Sequence, residues 1–183
     1  MVEVAPKTTV WVVDNRVDNM VARSSWKASM TERLIGVLKK WHPSLRTVRT
    51  VEDALKIDSG VVVLSGSSLS VLSAAPQAAV VAVTVALRRD VPVLGVCFGF
   101  QLLAWMHGVP VAGLGRKVRE RRVVESVGEV YFHHEDGVFG GAGARGSHCT
   151  MLQFGHNVWG VQFHPEATPD GQQWLKQWIS PSP

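Results

Sequence analysis

The stretch Val91-Pro92-Val93-Leu94-Gly95-Val96-Cys97-Phe98-Gly99-Phe100-Gln101-Leu102-Leu103-Ala104 constrains the fold more than any other part of the chain. Val93 to Val96 is a short, apolar, largely β-branched run, which predicts a buried strand. Phe100 to Met106 is apolar enough to be a helix packed on a sheet. Between them, Gly95-Val96-Cys97-Phe98-Gly99 has the form of a nucleophile elbow with Cys in place of Ser. Small residues two before and two after the nucleophile permit a sharp strand-to-helix turn that exposes the side chain. Such a turn puts Cys97 near a helix N-terminus, where the dipole and the free N–H groups favour a thiolate. The N–H of Phe98 then faces an oxyanion forming on a bound carbonyl. The same five residues also accommodate a small buried cysteine at a strand end, a common fate for an unpaired Cys.

A second stretch, Val158-Trp159-Gly160-Val161-Gln162-Phe163-His164-Pro165-Glu166, reads as a strand ending at His164, because the residue before proline is pushed to extended geometry. Residues at i and i+2 of an extended segment share a face, so Glu166 can approach the His164 ring. A cysteine, a histidine and a carboxylate then stand as nucleophile, general base and orienting acid. A lone histidine at a strand end needs no such role; the pairing with Glu166 and the upstream elbow gives it one.

Gly95-Val96-Cys97-Phe98-Gly99-Phe100-Gln101 followed by Gly160-Val161-Gln162-Phe163-His164-Pro165-Glu166 resembles the class I glutamine amidotransferase family. Members hydrolyse the side-chain amide of glutamine through a Cys-His-Glu triad and pass ammonia to a synthase. The resemblance covers nearly the whole chain. Val12-Val13-Asp14-Asn15 is similar to the family's first strand and the loop after it. Leu64-Ser65-Gly66-Ser67 falls where the family has a Ser-Gly-Gly-Pro turn, and Phe132-His133-His134-Glu135-Asp136 where it has a histidine-containing segment near the glutamine. The resemblance implies Cys97, His164 and Glu166 as the triad, Phe98 and Ser67 as oxyanion donors, and Gly66, Gln101, His133 and His134 at the substrate. Ser67 stands in place of the second glycine and Ser68 in place of the proline, so a turn that needed positive φ at that position would be strained.

What the resemblance implies for function is glutamine as substrate, no cofactor and a synthase or other acceptor-binding protein as partner. Two further readings stay open: a free-standing γ-glutamyl hydrolase or transferase with the same triad, and a non-catalytic regulatory relative.

At 183 residues, with 46% hydrophobic and 19% charged residues, the chain suits one domain over 1–183 with a sizeable core. Its apolar runs are too short for a membrane span; the longest, near Ala74 to Leu87, is interrupted by Pro76, Gln77 and Thr84. Met1-Val2-Glu3-Val4-Ala5-Pro6 lacks the basic start and apolar core of a signal peptide. Two cysteines cannot form a disulfide framework, and one is the candidate nucleophile, which fits a reducing, cytoplasmic setting. The net charge is +4, and Arg116-Lys117-Val118-Arg119-Glu120-Arg121-Arg122 is its densest basic run. Contact with an acidic partner is one reading; a solvated, partly alternating surface strand is the preferred one. No aromatic residues interleave the run, so nucleic-acid stacking is not indicated. No Cys/His pair has ligand spacing, which predicts no metal site.

Taken in order, Thr8 to Val13 predicts the first parallel strand. Met20 to Trp41 predicts a long helix, interruptible at Ser24-Ser25 and stopped by His42-Pro43, with Trp26 and Trp41 in packing. Arg46 to Val51 alternates as an edge-type strand, and Val61 to Leu64 reads as a strand buried on both faces. It leads into the small, hydroxyl-rich turn at Ser65 to Ser70, at the strand end where open α/β sheets bind ligands. Ala74 to Arg89 predicts a helix before the elbow strand. The alternation predicts an α/β fold, an open, mostly parallel, doubly wound, flavodoxin-like sheet. The C-terminal half changes character: Val118 to Val124 and Glu129 to Phe132 predict added antiparallel strands. Gly137 to Gly146 predicts a surface loop and candidate flap. Ser147 to Phe154 is strand-like, with Cys149 in a structural place. Thr168-Pro169-Asp170 is a helix start, and Trp174, Leu175, Trp178 and Ile179 form the apolar stripe of a last helix. Ser180 to Pro183 reads as a tail.

Overall fold

The computed structural model describes residues 8–16, 25–140 and 148–180, with the backbone alone for 25–29. Six strands form the main sheet: β1 (Val10–Val13), β2 (Arg46–Val48), β3 (Val61–Leu64), β4 (Val93–Val96), β7 (Met151–Gly155) and β8 (Val158–Val161). Their spatial order is β2-β1-β3-β4-β8-β7. The first five in that order run parallel, and β7 pairs antiparallel with β8. A second sheet of three antiparallel strands has the order β5-β6-β9, from β5 (Val111–Val124), β6 (Gly128–Val138) and β9 (Phe163–His164). The fold is therefore the α/β class that the alternating pattern predicts, with the antiparallel addition in the C-terminal half.

Alternation along each central strand sorts the core into two layers. Trp11, Val13, Val62, Leu64 and Val93 point to one face. There they meet α2 (Val51–Leu55), α3 (Gln77–Arg88) and α4 (Phe98–Met106) through Ala54, Ala79, Ala82, Val83, Ala86, Leu102 and Leu103. Val10, Val12, Val61, Val63, Leu94 and Val96 point to the other face. That face is covered by Leu34 and Leu38 of α1 (Ser25–Trp41), by Leu175 and Ile179 of α5 (Pro169–Ile179), and by Val118, Val130, Phe132 and Phe163 of the smaller sheet. The smaller sheet thus acts as part of the covering layer rather than as an appendage.

Several elements differ from their expected bounds. The strand expected to Val51 stops at Val48, because Thr50 caps a short helix: its hydroxyl accepts from the Asp53 N–H while the Asp53 carboxylate reaches back to the Thr50 N–H. The hairpin strands are longer than expected, and Gly137 and Val138 belong to β6 rather than to a loop. Of the candidate flap, residues 141–146 lie outside the described residues, as do 147, Met20 and Val21, the Trp26 side chain, 1–7 and 181–183. The basic run is a largely exposed edge strand with Val118 turned inward, and three of its cations pair locally: Lys117 with Glu135, Arg121 with Glu129 and Arg122 with Glu120. Thr168 caps α5 as expected, its hydroxyl accepting from the Gly171 N–H at 3.2 Å. No helix among the described residues is long and apolar enough to cross a membrane.

Candidate active site

β4 ends at Val96 and α4 begins at Phe98, so Cys97 alone carries the reversal. Its backbone sits at φ 52° and ψ −102°; Asp90 is the other non-glycine residue with positive φ among the described residues. Such a conformation costs about 1–3 kcal/mol and persists only where the surroundings impose it. Two close approaches impose it here. A Cβ on Gly95 would lie 2.5 Å from the Gly99 carbonyl oxygen, and one on Gly99 would lie 2.6 Å from both Cβ and O of Leu64. The glycines two before and two after Cys97 are therefore needed for packing, while the positive φ falls on the cysteine itself. The Cys97 N–H remains in the sheet, donating to Val161 O at 2.8 Å.

Opposite the elbow, His164 ends β9 in extended geometry, φ −100° and ψ 93°, as expected before Pro165. Glu166 does not continue the strand. It lies in a short 3-10 turn, Pro165–Ala167, which still brings its Oε1 to 2.9 Å from His164 Nδ1. Both residues are buried. The ring is also within hydrogen-bonding reach of the Cys97 thiol. Since Nδ1 is taken by Glu166, Nε2 is the nitrogen that faces the sulfur. Burial alone would disfavour the imidazolium. The charges of Glu166 and Cys97 and the hydrogen bonds to both outweigh it, so the His164 pKa is raised well above its usual value. Gly66 closes the group from the end of β3: a Cβ there would lie 3.1 Å from His164 Cε1 and 3.7 Å from Cys97 Cβ.

The turn after β3 is braced by two residues, Asn15 and Thr31, to which the sequence pattern assigns no role. Asn15 Nδ2 donates to Ser65 O at 2.7 Å, and its N–H donates to Ser65 Oγ at 3.1 Å. The Thr31 hydroxyl donates to Gly66 O at 3.3 Å. The strain anticipated at Ser67 is absent, because neither Gly66 nor Ser67 adopts positive φ. Serine instead ties the turn down: its hydroxyl donates to Asn15 O at 2.8 Å and accepts from the Leu69 N–H at 3.2 Å. Phe98 is the first residue of α4, where helix N–H groups have no intrahelical partner.

Between this turn and β6 lies a small pocket that opens to solvent. Ser67, Cys97, Gln101, His133 and His134 line it, so the structure brings the candidate substrate residues to the elbow. Gln101 is buried rather than on the helix surface, and its Nε2 donates to Asp136 O at 2.9 Å. The His133 carbonyl accepts from the Cys97 thiol at 3.6 Å. His134 Nδ1 is 2.9 Å from Asp136 O; a carbonyl oxygen can only accept, so Nδ1 carries the proton. Burial, first, and the charges of His148, His164 and Arg122 push the His134 pKa down to about 4 against the opposing Asp136 hydrogen bond, so its ring is neutral at pH 7. Cys149 is only partly buried, its thiol donating to Gly140 O at 2.9 Å. Among the described residues, no three His, Cys, Asp or Glu side chains converge to hold a metal ion.

The arrangement holds a thiol, a base and an orienting carboxylate beside a helix N-terminus and a small cavity, which is what acyl transfer needs. The family model described as glutamine amidotransferase class-I matches residues 26–144. The chain belongs to the class I glutamine amidotransferase family. The match includes the elbow, the turn after β3 and the histidines of β6, and it stops before His164. Among curated proteins, the GMP synthase [glutamine-hydrolyzing] of Anaplasma marginale is 28% identical over 94% of this chain and 37% of its own length. That of Mycobacterium tuberculosis strain H37Rv is 32% identical over 51% of this chain and 22% of its own. The chain thus spans little more than a third of the relative that it matches along nearly its whole length. The solved structures that share the fold include the following two. One, from Thermoplasma acidophilum and provisionally assigned as a GMP synthase component, has a TM-score of 0.66 and 19% identity, covering 94% of this chain and 92% of its own. The other, a glutamine amidotransferase from Thermotoga maritima, has a TM-score of 0.53 and 17% identity over 94% and 82%.

Proposed function

We propose that the chain, as a single domain over residues 1–183, is a glutaminase that supplies ammonia to a synthase partner. The observation that carries this reading is the convergence on Cys97, at its positive-φ elbow, of a His164 ring paired with Glu166 at 2.9 Å, in a member of this family. His164 takes the Cys97 proton, and its raised pKa makes the imidazolium a stable holder of that proton. The thiolate attacks the side-chain carbonyl carbon of glutamine, and the N–H groups of Phe98 and Ser67 receive the oxyanion. His164 returns the proton to the amide nitrogen as the C–N bond breaks and ammonia leaves. Water, deprotonated by His164, then cleaves the thioester to release glutamate and restore the thiol. Gln101, His133 and His134 make the wall against which the amino acid lies, and Gly66 leaves room for the His164 ring beside Cys97. The partner of first choice is a synthase of the GMP synthase kind, since that is the name that the curated relatives carry.

The test uses the purified chain and a glutamine analogue with a diazo ketone at the γ position, followed by peptide mass mapping. The expected result is one adduct on Cys97, suppressed by excess glutamine and absent from Cys97→Ala, with Cys149 unmodified. An adduct on Cys149, or none on a Cys97 that iodoacetamide still alkylates, overturns the assignment.

A further inference from the structure

Gln162 occupies the point where the chain leaves one sheet for the other: β8 ends at Val161 and β9 begins at Phe163. It is fully buried, and its N–H is held by Thr150 O at 2.8 Å. A primary amide in such a place brings two donors and an acceptor that must be met or left wanting. One of its atoms is left wanting, since Nε2 has no partner. A methionine of similar volume would fill the space without that cost. What the amide provides in return is at the other end: Oε1 accepts from Gln101 Nε2 at 3.4 Å.

Gln101 stands one helical turn past Cys97 and donates its other N–H to Asp136 O, the same oxygen that accepts from His134 Nδ1. One buried polar group therefore joins the three segments that carry Cys97, the β6 histidines and His164. With both amide hydrogens committed, Gln101 has only its carbonyl oxygen to offer the cavity that it lines.

We propose that Gln162 is a positioning residue, locking the Gln101 amide so that its oxygen faces the cavity and accepts a hydrogen bond from an N–H donor of the bound amino acid. The proposal rests on the glutaminase reading. It requires that Gln162 act on ligand affinity and leave the chemistry at sulfur alone.

The experiment compares wild type, Gln162→Met and Gln162→Glu by the saturation kinetics of Cys97 alkylation with the diazo-ketone glutamine analogue. Iodoacetamide, which has no amino-acid end to recognise, is the control. In Gln162→Met the inhibition constant rises roughly 3- to 10-fold, the size of one lost hydrogen bond. The limiting alkylation rate and the iodoacetamide rate stay at the wild-type value. Gln162→Glu keeps an acceptor oxygen and returns the inhibition constant towards wild type, although a buried acid is the worse guest for a purely structural site. Should Gln162→Met not fold, Gln162→Asn retains an amide but is one methylene too short to reach Gln101, and it carries the same expectation. An unchanged inhibition constant overturns the proposal. So does a parallel fall in both alkylation rates that the glutamate variant does not reverse, since that marks a merely structural role. If wild type resists the analogue while iodoacetamide modifies Cys97, the glutaminase reading fails and the proposal falls with it.

Discussion

Gly66 lies against both side chains proposed to do the chemistry, so a substitution there tests how closely the His164 ring is held. An added methyl would sit 3.1 Å from His164 Cε1, so the ring must give by a few tenths of an ångström. Gly66→Ala is expected to lower glutamine turnover about tenfold or more, since small misplacements of a general base are costly, while the denaturation midpoint stays near wild type. Unchanged turnover would mean that the ring has slack. His134 gives a prediction in pH. Unfolded, its imidazole takes a proton near 6.5; folded, only near 4. Between those values the unfolded state binds more protons, so the stability due to His134 is complete above pH 6.5 and is lost as pH falls towards 4. His164, whose pKa is raised, has the opposite sign: its contribution is complete below 6.5 and is lost as pH rises through its folded pKa. His134→Asn can keep the bond to Asp136 O through Nδ2. Urea midpoints measured from pH 7 to pH 4 should fall less steeply in that variant than in wild type; equal slopes would show that His134 does not titrate in this way. Cys97, His164 and Glu166 stand out in the sequence as candidates because each is marked by its immediate neighbours. The Asp136 carbonyl and the Gln162 amide do not, since a backbone oxygen has no residue signature and a buried amide looks like a surface one until its partners are placed.

At the scale of elements, local chemistry was a good guide where it acted within a few residues. Thr168 shows this: its hydroxyl caps α5 at Gly171 and also donates to Glu129 O at 2.6 Å, pinning the helix start to β6. Thr168→Ala loses both bonds and should cost about 1–2 kcal/mol, read from equilibrium urea unfolding. A loss below about 0.5 kcal/mol would mean that Pro169 sets the helix start by itself. The same logic accounts for the end of β2 at Val48. The capping pair of Thr50 and Asp53 was present in the sequence, but the valines of the preceding run read as continuing strand and hid it. Strand length in the hairpin is not legible in the sequence for another reason. Residues Val111 to Gly113 carry little alternation, and they are strand because β6 offers them a ladder, which is a tertiary fact; Leu114 to Lys117 fall in the register shift before Val118. The break at Gln162 is of the same kind: Val158 to His164 is one extended run in sequence, and only packing divides it between two sheets.

For the whole molecule, the parallel sheet, the elbow at its strand end and the single-chain origin of every candidate triad residue bear on how a partner acts. Cys97, His164 and Glu166 are already in register within this chain, and the turn carrying Ser67 is unstrained and tied to Asn15. A partner is therefore not needed to assemble the triad. The cavity, however, opens to solvent past exposed Ser68 and Glu135, so under the proposed reaction ammonia would escape from Cys97 into bulk water. The isolated chain is thus expected to hydrolyse glutamine and release ammonia and glutamate in equal amounts. A synthase docked over the mouth should lower the free ammonia per glutamate without lowering glutamate itself, because it captures one product and leaves the thioester chemistry in place. Coupled assays of glutamate and free ammonia, run with and without the synthase and its acceptor, measure both at once. Equal release in the presence of a working synthase would mean that the partner seats elsewhere. No glutamate without the partner would mean that docking changes the site itself, by shifting the population of a turn that is only one of its states.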